Sequence, residues 1–79
     1  MRQNFTTELK ADGQSYSAVM LPHLRHNGLH YEVNIKGYPR FMMKMTELGR
    51  YDIIVPSAKI PYNLILAASD AIEERERNV

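Results

Sequence analysis

Three histidines lie close together in the stretch "PHLRHNGLHYE", and they are the residues of this chain best suited to metal chemistry. Alternate residues of a β-strand share a face, and the predicted pairing puts His23, His30 and Glu32 on the same one. Two imidazoles and one carboxylate can hold a divalent metal ion that keeps open positions. A hydrogen-bonded pair of His23 and Glu32, directly across from each other, explains these residues without a metal, and we favour that interpretation.

A second candidate is the binding of an anionic polymer by basic side chains. Lys36, Arg40 and Lys44 are predicted to lie on one sheet face, with Lys36 directly opposite Arg40. Like charges in opposed positions are unfavourable unless an anion lies between them, so this row could follow a phosphate backbone. The predicted order of five strands and one helix resembles, in its topology, the single-strand-binding sheets of the Pur, Whirly and transcriptional-coactivator types.

The aromatic residues argue against nucleic acid as the preferred ligand. Single-strand binders stack bases on aromatic side chains of the open sheet. Here Tyr38, in a turn, is the one aromatic residue predicted to be free, and Tyr62 is expected to pack on the sheet edge. The aromatic residues of the strands are all predicted on the face that binds the helix: Phe5, Tyr16, Tyr31, Phe41 and Tyr51. Single-stranded nucleic acid is therefore kept as the alternative.

The sequence does not indicate an enzyme. It contains no Cys, and its four Gly each serve a separate turn, so no phosphate-binding loop is formed. Acidic residues near the end of the chain, Asp70, Glu73 and Glu74, alternate with arginines, as is typical of a solvated helix face. No glycine elbow or neighbouring base accompanies the serines: Ser15, Ser17, Ser57 and Ser69. We predict a protein without catalytic residues and without a cofactor.

Length and charge set limits on the kind of protein. The 79 residues predict one small domain, residues 1–79, with a formal net charge of +1. A monomer of this size gains roughly 3–5 kcal/mol from its core, so self-association is expected. No apolar stretch reaches the length of a membrane span, and the first 13 residues hold no apolar signal region. We therefore expect a cytoplasmic protein that does not bind membranes.

Short apolar–polar alternations separated by turn signals predict the elements that position these residues. The strands are expected at about residues 3–11, 14–25, 29–36, 40–46 and 51–55. The final segment is rich in Ala, Leu and Glu and predicts a helix at about residues 61–76, whose stripe of Leu64, Ala67, Ala68, Ala71 and Ile72 has helical spacing. The fold class is α+β: a five-stranded antiparallel β-meander with one C-terminal helix packed on one face.

Turn chemistry predicts the register of the strands. Asp12-Gly13 and Asn27-Gly28 predict two-residue hairpin loops, and three-residue loops are expected at 37–39 and 47–49. All four loops put the same apolar residues on one face, and we expect Pro22 to mark a bulge because it lacks a ladder donor. Among the apolar pairings that this register predicts are Leu9 with Tyr16, Leu24 with Tyr31, Ile35 with Phe41, and Met45 with Tyr51.

The face opposite the helix is predicted to carry an unexpected apolar band. Leu21, Met42 and Ile54 would lie in one row across the sheet together with Asn34, and Val19 would lie beside them. A contiguous exposed apolar patch indicates either a cover provided by a loop or terminus, or an interaction surface. We favour a non-enzymatic interaction module that self-associates or docks a protein partner here. The basic rim of this surface is Lys36, Arg40 and Lys44.

Overall fold

The computed structural model describes residues 3–54 and 59–78, and it confirms the predicted α+β architecture. Five antiparallel strands pair in the order β1-β2-β3-β4-β5, and the C-terminal helix α1 packs against β1 and β5. The predicted strand end at residue 55 and Ser57 lie outside the described residues. The elements are β1 Phe5–Ala11, β2 Gln14–Arg25, β3 Gly28–Ile35, β4 Phe41–Met45, β5 Tyr51–Ile53 and α1 Tyr62–Arg77.

The first and last hairpins have the predicted register. Leu9 pairs with Tyr16, and Met45 pairs with Tyr51. In the first loop, both Asp12 and Gly13 have positive φ, which a two-residue primed turn requires. A residue other than Gly tolerates this conformation best when it is Asp or Asn, so the Asp-Gly dipeptide determines the loop.

The second hairpin is displaced by two residues from the predicted register. Leu24 pairs with Leu29 instead of Tyr31, and Arg25 pairs with Gly28. Gly28 alone has positive φ here, whereas Asn27 does not, and the pairing of Arg25 with Gly28 leaves His26 and Asn27 as the two loop residues. The loop is therefore as short as predicted but begins one residue earlier, and the Asn-Gly dipeptide alone does not distinguish these two positions.

The third hairpin is displaced by two residues as well. Phe41 pairs with Val33, not with Ile35. The backbone N–H of Tyr38 donates to the carbonyl of Ile35 at 3.0 Å, which closes a turn around Gly37 with φ +93°. Pro39 follows and has no N–H to give to the ladder, so pairing resumes only near Phe41. The predicted three-residue loop is therefore wrong.

Pro22 does not interrupt β2, and the predicted bulge is wrong. It pairs with Tyr31 in an unbroken ladder. Antiparallel strands bond alternately to their two neighbours, and the bond from Lys36 N–H to Ser17 C=O directs the odd-numbered residues of β2 toward β3. The nitrogen of Pro22 therefore points to the β1 side, beyond Phe5, where β1 has not yet begun. No ladder bond is lost.

The core lies between the sheet and α1. Met20, Tyr31, Val33 and Met43 are each at most 1% exposed. The hydroxyl of Tyr31 donates to the carboxylate of Glu76, which satisfies its polar end inside the apolar layer. The predicted helix stripe is confirmed and broader than expected: Leu64, Ile65, Ala68, Ser69 and Ile72 are buried, Ala67 and Ala71 are partly buried, and Leu66 is exposed.

A polar cluster fastens β5 to α1. Glu73 Oε2 accepts hydrogen bonds from Arg50 Nε at 2.9 Å and from the backbone N–H of Tyr51 at 3.2 Å. The Ser69 hydroxyl lies 2.7 Å from the Tyr51 carbonyl oxygen and 2.8 Å from Glu73 Oε2, so two acceptors share its one proton. Arg50 also binds Asp70 at 2.7 Å. Glu73 and Asp70 thus belong to a structural network, which corrects the prediction of a merely solvated helix face.

This network changes the titration of Glu73. Burial alone would raise the pKa of this carboxyl. The hydrogen bonds from Ser69, Arg50 and the Tyr51 N–H outweigh burial and lower the pKa below its ordinary value. A lowered pKa in the folded state stabilises the fold above the unfolded pKa, and that contribution is lost as the pH falls through the folded pKa.

Truncation of Met43 should be far more costly than truncation of Met45 on the same strand. Met43 is 0% exposed and Met45 is 46% exposed. We expect Met43→Ala to lower the free energy of unfolding by about 2–5 kcal/mol, or to remove the cooperative transition altogether. Met45→Ala should cost about 1 kcal/mol or less. Urea titration followed by circular dichroism measures both, and equal losses would contradict the difference in burial between these two side chains on the same face of β4.

Glu73→Gln should lower stability at neutral pH and flatten the acid side of the stability profile. The loss at about pH 7 is expected to be about 1–3 kcal/mol, because Arg50 loses one of its two charge partners and keeps Asp70. The difference from wild type should shrink as the pH falls through the lowered pKa of Glu73, since wild type then loses the same interaction. Urea titrations between about pH 7 and about pH 2 measure this. Exposed Glu74→Gln is the matched control, and a similar effect there would refute the role of the cluster.

Candidate interaction surface

The sheet face turned away from α1, here called the open face, carries every residue of the predicted apolar band. Val19 and Ile54 are 38% and 39% exposed. Leu21 and Met42 are half-buried by their neighbours within the sheet. The assignment of these four residues to the open face follows from strand alternation, and the two-residue displacements preserve it.

The band is interrupted by a carboxylate, which the predicted register did not place there. Glu32, rather than Asn34, pairs with Leu21 on one side and with Met42 on the other. The backbone N–H of Ile54 donates to the carbonyl of Met42 at 3.0 Å, which extends the row to the far side of the sheet. The open face therefore has two apolar pairs, Val19 with Leu21 and Met42 with Ile54, and Glu32 lies between them.

The carboxylate of Glu32 is partly buried, and its two oxygens differ in their hydrogen bonding. Its side chain is 20% exposed, and Oε2 accepts a hydrogen bond from Asn34 Nδ2 at 2.8 Å. Oε1 lies 3.7 Å from His23 Nε2, which is within electrostatic reach but too long for a hydrogen bond. Arg40 Nη1 is 4.0 Å away on a side chain that is 75% exposed. The carboxylate at the centre of the open face thus keeps acceptor capacity.

The histidines are not arranged as a metal site. Among residues 3–54 and 59–78 there is no group of three or more His, Cys, Asp or Glu that could hold a metal ion. His23 pairs across the strands with His30, not with Glu32, and its Nε2 is buried without a hydrogen-bond partner in the described part of the chain. His30 is 4% exposed, and its Nδ1–H donates to the carbonyl of Gly28 at 3.1 Å. The expected hydrogen-bonded pair of His23 and Glu32 is therefore wrong in its geometry.

The basic rim lies at the edge of this surface. Lys36, Arg40 and Lys44 are all exposed. Because Val33 pairs with Phe41, the register carries Arg40 to a place beside Asn34, and the predicted opposition of Lys36 and Arg40 is wrong. Lys44 pairs across the strands with His30 and Asp52. Neither Lys36 nor Lys44 forms an ion pair with any residue that the structure describes, although Asp52 lies directly across from Lys44.

The aromatic residues leave no stacking platform among the described residues of the open face. Tyr31, Phe41 and Tyr51 are at most 6% exposed on the helix side, as predicted. Tyr38 is not free, because its ring packs edge to face against Tyr16 at 6.0 Å between centroids. Tyr62 is 69% exposed and does not pack on the sheet edge as expected.

Grooves flank the helix, and sequence reasoning did not predict them. One, of about 520 Å³, runs along the free side of β1 beside Ala67 and Ala71. Another, of about 180 Å³, lies between the β4–β5 turn and α1 and includes Arg50 and Ser69. Both side chains are engaged in the cluster that holds β5, which gives them a structural role. Ser69 within the apolar helix stripe was the one sequence signal for that cluster.

Comparison of the chain with protein-family models, with curated proteins and with solved structures finds no match. In the described part of the chain, no helix has both the length and the apolar character needed to span a membrane. Any inference about function therefore rests on the residues of the open face.

Proposed function

We propose that the protein is a non-catalytic interaction module that docks a protein partner through the open face. The observation that supports this most is the combination of exposed apolar side chains with basic side chains that have no described ion-pair partner. Val19 and Ile54 present apolar surface to solvent. Apolar side chains in the middle with charged residues around them are the usual anatomy of a protein interface. A cytoplasmic location belongs to this proposal and rests on the sequence expectation alone.

The charges favour a partner of opposite character over face-to-face self-association. Lys36, Arg40 and Lys44 outnumber the two acidic residues beside the apolar band, Glu32 in its middle and exposed Asp52 opposite Lys44, so the rim is net positive. Two copies docked through the same face would bring like-charged rims together, and that repulsion costs affinity. A partner surface with apolar side chains and an acidic rim would fit better. One donor group on that partner could bind the free acceptor side of Glu32.

A photo-crosslinking amino acid at position 42 should capture the partner in cells. We expect a discrete adduct from position 42, and weaker adducts when Lys36→Glu and Lys44→Glu are added. The crosslinker at position 48 is the matched control, because Leu48 is 90% exposed yet lies in the β4–β5 turn. Mass spectrometry of the adduct identifies the captured protein.

Three results would contradict the proposal. One is no adduct from position 42 above that from position 48, and another is the same adduct from both positions. An adduct that contains only a second copy of this chain would replace partner docking with self-association through the open face. Circular dichroism of the substituted proteins confirms that each is folded.

Single-stranded nucleic acid is the alternative ligand, because the same basic residues are exposed and neither Lys36 nor Lys44 has an ion-pair partner among the described residues. If it binds, affinity for labelled single-stranded DNA or RNA should fall steeply between low and physiological salt. It should also fall by about tenfold or more in the double variant Lys36→Glu/Arg40→Glu. The matched control is Arg77→Glu, a change of the same charge at an exposed position of α1. Absence of binding at low salt, or equal loss in the control, would remove this alternative.

A further inference from the structure

The two edges of the sheet differ in whether their outward backbone groups are already hydrogen-bonded within the chain. At the β5 edge, the outward backbone groups are those of Tyr51 and Ile53, because Thr46 N–H bonds to Arg50 C=O and sets the alternation. Glu73 takes the Tyr51 N–H, Ser69 lies at its carbonyl, and the Asp52 carboxylate takes the Ile53 N–H at 2.8 Å. β5 is also only three residues long. This edge is closed to any further strand.

The β1 edge has no such cover. In a two-residue hairpin loop the closing pair, here Ala11 and Gln14, exchanges hydrogen bonds, and the pairs alternate from there. The backbone groups of Thr6, Glu8 and Lys10 therefore point away from β2. Among the described residues, no hydrogen bond reaches these outward groups. An open edge of seven residues without Pro or bulge is a template for another strand.

Space is available beside this edge. The groove of about 520 Å³ runs along β1, and its helix wall includes the small side chains of Ala67 and Ala71. Arg75 lies over the Phe5 ring at 4.8 Å and forms the far end of the groove. On the helix side, an approaching strand therefore meets small Ala67 and Ala71 together with polar Asp70, Glu74 and Asn78.

The charges of β1 are complementary to a second copy of the same strand. Glu8 and Lys10 are exposed and lie on the same face, two residues apart. In an antiparallel pair centred on Leu9, Glu8 faces the partner's Lys10, and Lys10 faces the partner's Glu8. These are the residues whose backbone groups point outward, so both ion pairs coincide with hydrogen-bonded pairs. Centring the pair on Glu8 or on Lys10 would oppose like charges instead.

We propose that this chain forms a two-fold dimer in which β1 pairs antiparallel with the partner's β1, centred on Leu9, to give one continuous sheet. The dimer uses the edge and leaves the open face accessible on both copies. It does not depend on the proposed docking of a partner, because Glu8, Leu9 and Lys10 belong neither to the apolar band nor to the basic rim.

Charge reversal tests both the surface and its register. Sedimentation from about 1 µM to about 1 mM should show a monomer–dimer equilibrium for wild type. Glu8→Lys alone and Lys10→Glu alone should each raise the dissociation constant by about tenfold or more, because each opposes like charges. An equimolar mixture of the two variants should dimerise again, since each supplies the charges that the other lacks. Glu47→Lys, in an exposed turn, should behave as wild type.

A backbone variant tests the strand pairing itself. Glu8→Pro removes an outward N–H and leaves the β2 ladder intact, so the monomer should fold by circular dichroism and fail to dimerise. The proposal is overturned if wild type stays monomeric throughout, or if the dimer is unaffected by all three edge variants. A dimer abolished by Met42→Glu and unchanged by the edge variants would assign self-association to the open face and refute the edge.

Discussion

The alternation of side chains along the strands is the constraint on which the rest of the structure depends. Each turn has to deliver the next strand with the same parity, because a displacement by one residue would turn its apolar side chains to the wrong face. Gly28 and Gly37 achieve this with positive φ, although the loop before Gly28 begins one residue earlier than predicted and the loop around Gly37 is longer than predicted. Burial of Tyr31 and Met43 under α1 follows from the preserved parity.

Parity also explains how much of the candidate surface was predictable. Each residue of the band, Met42 included, lies on the expected face, because face membership depends only on odd or even position. Neighbours across the strands depend on which residues form each loop, and Asn27-Gly28 and Pro39 do not determine that from sequence. Glu32 therefore took the place expected for Asn34 in the middle of the band. The cluster around Glu73 joins residues distant in sequence, and local patterns carry little information about such contacts.

The interruption by Glu32 changes the character of the open face. An unbroken apolar row would favour nonspecific association, whereas a half-shielded carboxylate between two apolar pairs requires a partner with a donor in a matching place. A buried acceptor left unpaired costs about 1–3 kcal/mol, so a poorly matched partner is penalised. In the proposed docking, Glu32 would support selectivity more than affinity, and the basic rim would support the rate of association.

The contrast between the two sheet edges connects the fold to its assembly. Closing β5 uses three side chains and part of α1, and those interactions also stabilise the monomer. α1 approaches β1 as well, and Ala67, Asp70, Ala71 and Glu74 line the groove there, but no hydrogen bond of the described residues joins α1 to the outward backbone groups of β1. Pairing of β1 with a second copy would satisfy those groups and place two open faces on one sheet. A partner with two matching sites would then bind with a gain set by effective concentration and without any new contact within either site.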